Sequence, residues 1–144
     1  MKRFRFRLQR LLDVAGARRL AQAQVLGAAV ARVDTAVGKA QEIGRHRAAM
    51  REGMGRSGVG LAIEQWTSER ARYLAVAVAE AEALALVAEV CASERAERQR
   101  YLAILGQQRA LLRLRSRRLA TWRELVQRRE QAELDEIGGR RPWS

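Results

Sequence analysis

The sequence predicts an all-α fold, a long antiparallel two-helix coiled-coil hairpin with a longer second helix, on three observations. The composition is that of helices. Of the 144 residues 48% are hydrophobic but only 5% aromatic, 31% are charged, and the one proline is Pro142. Ala, Leu, Glu, Gln and Arg dominate, all good helix formers, and a compact globule would hold more large side chains to bury. Apolar residues recur at alternating spacings of three and four, a mean of 3.5 and the period of a left-handed coiled coil. Finally, one break interrupts the pattern. The stretch EGMGRSGVG carries Gly53, Gly55, Gly58 and Gly60, and each glycine weakens a helix by roughly 1 kcal/mol relative to alanine.

In chain order this reads as a single coiled-coil domain over 1–144. Helix one covers about 4–52, the glycine-rich tip turn about 53–60, helix two about 61–137 and a short tail 138–144. The seam of helix one runs through Ala23, Leu26, Val30, Val33, Val37 and Ala40, with Leu8, Leu12 and Ala15 upstream on about the same face. In helix two it runs through Ala77, Ala81, Leu84, Ala88 and Cys91. After Arg95 and Arg98 interrupt it, it resumes with Leu102, Leu105, Leu112 and Leu119. Glycine and then proline in GGRRPWS close helix two. Pairing outward from the turn sets residue 8 beside roughly residue 106, so helix two overhangs beyond about residue 110, and at 1.5 Å per residue it spans ~110 Å. The seam is rich in alanine, which brings the helices close but contributes little burial per residue.

The formal net charge is +12, and all of the basic residues except Lys2 and Lys39 are arginine. This balance implies an acidic partner, whether nucleic acid, anionic lipid or an acidic protein face. Along the sequence the charge reads as mixed over both helices. No apolar run approaches the ~20 residues that span a bilayer. Gln9, Arg10 and Asp13 interrupt the start, which speaks against a secretory signal and for the cytoplasm as the expected compartment. A single cysteine, Cys91, agrees with a reducing compartment. It falls on the seam as a small hydrophobe.

No catalytic constellation is present. His46 is the only histidine, so Ser-His-Asp and Cys-His arrangements and His-ligated metal sites are ruled out or crippled. GMGRSGVG lacks the Gly-Lys-Ser/Thr ending of a phosphate loop, and no strand precedes it. Glu124, Glu130, Glu133, Asp135 and Glu136 share a helix with Arg123, Arg128 and Arg129, where surface ion pairing is the ordinary role. The expectation is a protein that is not an enzyme, with no cofactor and no metal. Lys2, Arg3, Arg5, Arg7 and Arg10, with Phe4 and Phe6, raise nucleic acid as a partner, but the charge forms no stripe and no nucleic acid is expected.

The opening FRFRLQRLLD, the glycine-bearing turn followed by an aromatic helix start, and the close WRELVQRREQAELDEIGGRR together resemble the FliJ family of flagellar type III export proteins. The marks are Phe4, Phe6, Leu8, Leu11 and Leu12 at one end, and Glu130, Leu134, Asp135, Glu136 and Ile137 at the other. The resemblance covers the whole chain. It implies a hairpin similar to the stalk of rotary ATP synthases. The base, made of both termini, enters the hexameric ring of the export ATPase FliI, and the tip contacts the linker of the export gate protein FlhA. The resemblance also implies a role as escort for export chaperones, and a place in the cytoplasm, peripheral to the inner membrane at the flagellar base.

Two surfaces follow as expectations. At the tip, the resemblance assigns Trp66, Tyr73 and Leu74 to the gate. On helix one Ile43, His46 and Met50 stand where the family often has tyrosines. At the base, Phe4 and Phe6 are left for the ring, or only staple the hairpin closed. Leu119, Trp122, Leu125 and Val126 lie on the overhang without a partner, which marks an interaction site. Arg117, Arg118 and Arg123 beside them suit an acidic lining. Two rival readings stay open, an injectisome stalk protein and a generic basic coiled-coil adaptor for RNA or anionic membrane.

Overall fold

The computed structural model describes residues 3–57 and 62–139. Two α-helices, α1 (Gln9–Ser57) and α2 (Ile63–Gly139), pack against each other, and no strand occurs among the described residues. The fold is the helical hairpin. Contacts group the chain into two compact units, a base unit of Met1–Ala21 with Leu102–Ser144 and a tip unit of Gln22–Tyr101.

The pairing is antiparallel in each unit. In the tip unit Gln22 Nε2 donates to Glu97 Oε2 at 2.5 Å, and Arg47 Nη1 donates to Glu80 Oε2 at 2.6 Å. In the base unit a Cβ on Gly16 would lie 3.4 Å from Gln108 Nε2, and Phe4 meets Trp122. As α1 residue numbers rise, their α2 partners fall.

On α1 the inward residues are Leu8, Leu12, Ala15, Arg19, Gln22, Leu26, Ala29, Val33, Ala36, Ala40, Ile43, Arg47, Met50 and Met54. Their steps alternate strictly between four and three, as a coiled coil requires. The fully buried ones are Leu12, Ala15, Ala29, Ala36 and Ala40. Four of these five are alanines, so the helices approach closely and bury little area per residue.

This seam departs from the expected one. Leu26, Val33 and Ala40 are on it, but Val30 is exposed and Ala23 and Val37 lie on its flank. On α2 the half-buried line is Tyr73, Val76, Glu80, Ala83, Val87, Val90, Glu94, Glu97, Tyr101, Ile104, Gln108 and Leu111. The line expected from apolar spacing sits one residue to the side. Leu84 is 55% exposed, Leu102 57% and Leu112 41%, while Ala77, Cys91, Leu105 and Leu119 are half-buried. The reason is polar residues on the true seam. Glu80 and Glu97 turn inward because Arg47 and Gln22 meet them across the pair, and spacing of apolar residues alone cannot detect such positions.

The helix bounds also differ. α1 begins at Gln9 rather than near residue 4, and it runs through Gly53 and Gly55 to Ser57. Met50 and Met54 are half-buried there, lining a hollow with Glu69 and Arg72, which offsets the ~1 kcal/mol weakness of each glycine. Gly58 and Gly60 of the expected turn lie outside the described residues. Residues 3–8 are not helical. Their exposure alternates, with Arg3, Arg5 and Arg7 exposed and Phe4, Phe6 and Leu8 half-buried. The opening stretch is therefore an arm leading into α1, not its first turns.

Candidate functional site

In the tip unit, the seam carries a polar cluster. The Arg47–Glu80 ion pair is half-buried, and the guanidinium also lies 5.2 Å from the centre of the Tyr73 ring. Glu80 first, and the Tyr73 hydroxyl second, hold the Arg47 guanidinium above its ordinary range. A raised basic group keeps its stabilising contribution at every pH below its unfolded value and loses it only in strong alkali, so this cation does not titrate near neutrality. Gly44 makes the approach possible, since a Cβ there would stand 3.1 Å from Glu80 Oε1.

Beside the seam runs a second apolar line on α2, formed by Leu74, Ala77, Ala81, Leu84, Ala88 and Cys91. It has the same three-and-four spacing, and Leu74, Ala81, Leu84 and Ala88 on it are exposed. Leu74 is 53% exposed, and Val78 (58%) and Leu86 (48%) lie nearby. From Leu74 to Ala92 there is no basic residue, and the only charges are Glu80, Glu82 and Glu89. A helix segment apolar around most of its circumference is one that expects cover on more than one side.

Of the tip residues expected from the sequence, Leu74 is on this exposed face. Tyr73, which the resemblance also assigns to the gate, is turned to the seam and half-buried beneath Arg47. Trp66 is 43% exposed, with the Arg70 guanidinium 5.3 Å from its ring centre. On α1 Ile43 and Met50 turn to the seam, while His46 is exposed. Cys91 is a free, half-buried thiol on the flank.

In the base unit, the arm reaches α2. The Phe4 and Trp122 rings stand 5.9 Å apart at 55°, a favourable tilted pair. Trp122 therefore has a partner within the chain, which the expected overhang denied it, and Leu119 and Val126 beside it are half-buried. The correction is one of register: Gly16 faces Gln108, so residue 8 lies beside about residue 116 rather than 106, and the arm before it reaches Trp122. The truly uncovered part begins at Gln127, from which every residue to Gly139 is exposed. Arg117, Arg118, Arg123 and Leu125 are exposed, whereas Phe6 turns inward beside Phe4. Arm and α2 enclose a cleft of about 760 Å³, lined by Phe4, Phe6, Leu8, Leu114, Arg118 and Trp122 together with Arg3, Arg5 and Arg7.

The charge is not evenly mixed, contrary to the linear reading. The base unit holds 17 basic and 6 acidic residues, a net +11, and the tip unit 11 basic and 10 acidic, a net +1. Between Leu102 and Arg123 there are six arginines and no acidic residue. The fold gathers this segment with the arginines of the opening stretch, which lie a hundred residues away in sequence.

Sequence reasoning missed Arg47, Glu80 and Gly44, and treated Leu84 as seam rather than surface. Opposite charges at mirrored heptad positions were the available signal for the first two. No helix among the described residues is long and apolar enough to cross a membrane. A family model described as Flagellar FliJ protein matches residues 4–144. No curated protein matches the chain, and no solved structure does.

Proposed function

The chain belongs to the flagellar FliJ protein family, an export-related, non-enzymatic component of the flagellum, and from that premise we propose a stalk that joins the export ATPase to the export gate. The base unit enters the ring of FliI. Phe4, Phe6, Leu119, Trp122 and Val126 form its packed apolar body, and Arg117, Arg118, Arg123 and Leu125 project from it. The tip unit meets FlhA through Leu74 and the exposed line that continues to Leu84, with Trp66 at its start. Tyr73 serves this surface from within, held under Arg47. The protein works in the cytoplasm, peripheral to the membrane, and passes export chaperones back into use.

The observation that carries this reading is the division of chemistry between the units. A net +11 in one and a basic-free apolar face in the other suit two different partners, which is what a connector needs. Turnover of FliI is the test, with equal concentrations of full-length chain and of chain ending after Arg115. The shortened chain loses Trp122 and with it the seat of the arm. It is expected to fail to stimulate turnover while still capturing FlhA, and Trp122→Ala to fail partly. Equal stimulation by all three would show that the base does not engage the ring.

A further inference from the structure

The arm has a directional chemistry of its own. Arg3, Arg5 and Arg7 are exposed and Phe4, Phe6 and Leu8 half-buried, and all six line one cleft. Residues 3–6 precede the turn that Gln9 N–H closes on the Phe6 carbonyl, and in an extended chain side chains two residues apart stand about 7 Å apart on one face. Carboxylates at alternate positions of a second extended chain have that same spacing. No carboxylate lines the cleft beneath the arm, nor the neighbouring hollow formed by Gln9 and Arg115 with the arm. The arm's backbone edge is also open. Among the described residues its backbone hydrogen bonds outside the helices are two, from Gln9 N–H to the Phe6 carbonyl and from Leu12 N–H to the Leu8 carbonyl.

We infer that the arm and its cleft are a docking strip for an extended acidic segment of a partner protein. Alternate carboxylates of that segment pair with Arg3 and Arg5, Arg7 stands at the turn that ends the strip, and one apolar side chain enters the cleft between Leu114 and Trp122. Arginine forks bind carboxylates in two-point fashion, and an open backbone edge accepts an added strand. Other anionic partners fit less well. Single-stranded nucleic acid needs exposed rings on which bases stack, but Phe4 already faces Trp122 and Phe6 is turned inward. A bilayer surface needs apolar side chains projecting alongside the cations, and in the arm itself Phe4, Phe6 and Leu8 are half-buried. The strip lies in the same unit as the proposed ring contact but does not depend on the ring supplying the segment.

The test titrates full-length chain into a short labelled peptide in which Glu alternates with Val around one Phe, read by fluorescence anisotropy. The acidic peptide is expected to bind. Replacing its Glu by Gln, or using the R3E/R5E/R7E chain, is expected to weaken binding by about tenfold or more, the weight of lost charge-assisted contacts. Arg118→Glu is expected to do the same from the α2 side. These side chains are exposed, and circular dichroism checks that helicity is unchanged. Equal binding of the Gln peptide, or unchanged binding by the arm variant, overturns the proposal. So does tighter binding of oligothymidylate or phosphatidylglycerol vesicles than of the peptide, with the same arginine dependence. FliI turnover with the same variants separates the two readings. Peptide binding lost with stimulation intact supports the strip and removes the arm from the ring contact. Stimulation lost with peptide binding intact overturns the strip.

Discussion

The base and tip units are built from the same two helices, yet they differ in nearly every property that decides a partner. The base packs leucines and aromatics: Leu12 is buried, and Phe4 meets Trp122 in a tilted ring pair. It displays arginine, at a net charge of +11. The tip packs alanine, with Ala29 only 1% exposed, and it displays aliphatic side chains with scarcely any net charge. A two-helix pair has little interior, so most of its large side chains remain at or near the surface. What differs along it is therefore surface chemistry more than core. Two interaction ends can be written into one secondary structure without any change of fold.

The sharpest way to break this comparison is charge reversal in the base. R117E/R118E/R123E is expected to weaken engagement with FliI by about a hundredfold, since each lost contact is worth roughly a factor of ten at most and all three face outward. Binding to FlhA should not change. Added salt should act in the same direction, because exposed charges are screened. If salt weakened both partners equally, the division into a charged and an apolar end would fail.

Core substitutions test the packing half of the contrast. Leu12→Ala is expected to cost about 2–5 kcal/mol, as other leucines lost from packed sites do. Ala29→Leu overfills a close helix approach and is expected to cost about 1–3 kcal/mol. Urea unfolding followed by circular dichroism measures both. A larger loss at Ala29 than at Leu12 would make the tip, not the base, the better-packed unit.

Leu74→Glu and Leu84→Glu sharpen the tip. Each places a carboxylate on the uncovered apolar line and is expected to reduce capture of FlhA by about tenfold, the loss from one well-buried aliphatic contact. Thermal stability and FliI stimulation should stay at the level of the unmodified chain. Normal capture by both variants would remove this face from the gate contact.

The smallest effect is expected at the Arg47–Glu80 pair. Each single reversal, Arg47→Glu or Glu80→Arg, should lower the melting temperature slightly, and the double reversal should restore part of the loss. Half-exposed ion pairs contribute little by themselves, so the cycle reads the register role rather than bulk stability. Additive losses with no recovery would show that the two side chains do not act on each other.

Much of the fold was legible from the residues. Helix-forming composition, the single glycine-rich break and the three-and-four spacing led directly to two helices folded back on each other. The phase of the seam was not legible. Leu84 and Val90 both keep heptad spacing on α2, and apolar counting preferred the line of Leu84. It could not know that Glu80 and Glu97 would turn inward to meet Arg47 and Gln22. The arm was missed for a related reason. Alternation in FRFRL is too short to stand out in a helical chain, and the turn was centred too early, so the pairing was set about ten residues short of the register in which Gly16 faces Gln108. Of the expected base residues Leu119, Trp122 and Val126 are half-buried, and Leu125 is exposed.

Local propensity and periodicity determined that this chain is helical and which residues are candidates for contact, because each of those depends on neighbours within a few positions. Only the tertiary structure decided which of two adjacent stripes is seam and which is surface. It alone also gathered the arginines of Arg3–Arg19 with those of Arg109–Arg123 into one unit. Both outcomes depend on pairing between residues far apart in sequence, Arg47 with Glu80 and Phe4 with Trp122. No local pattern encodes those pairings.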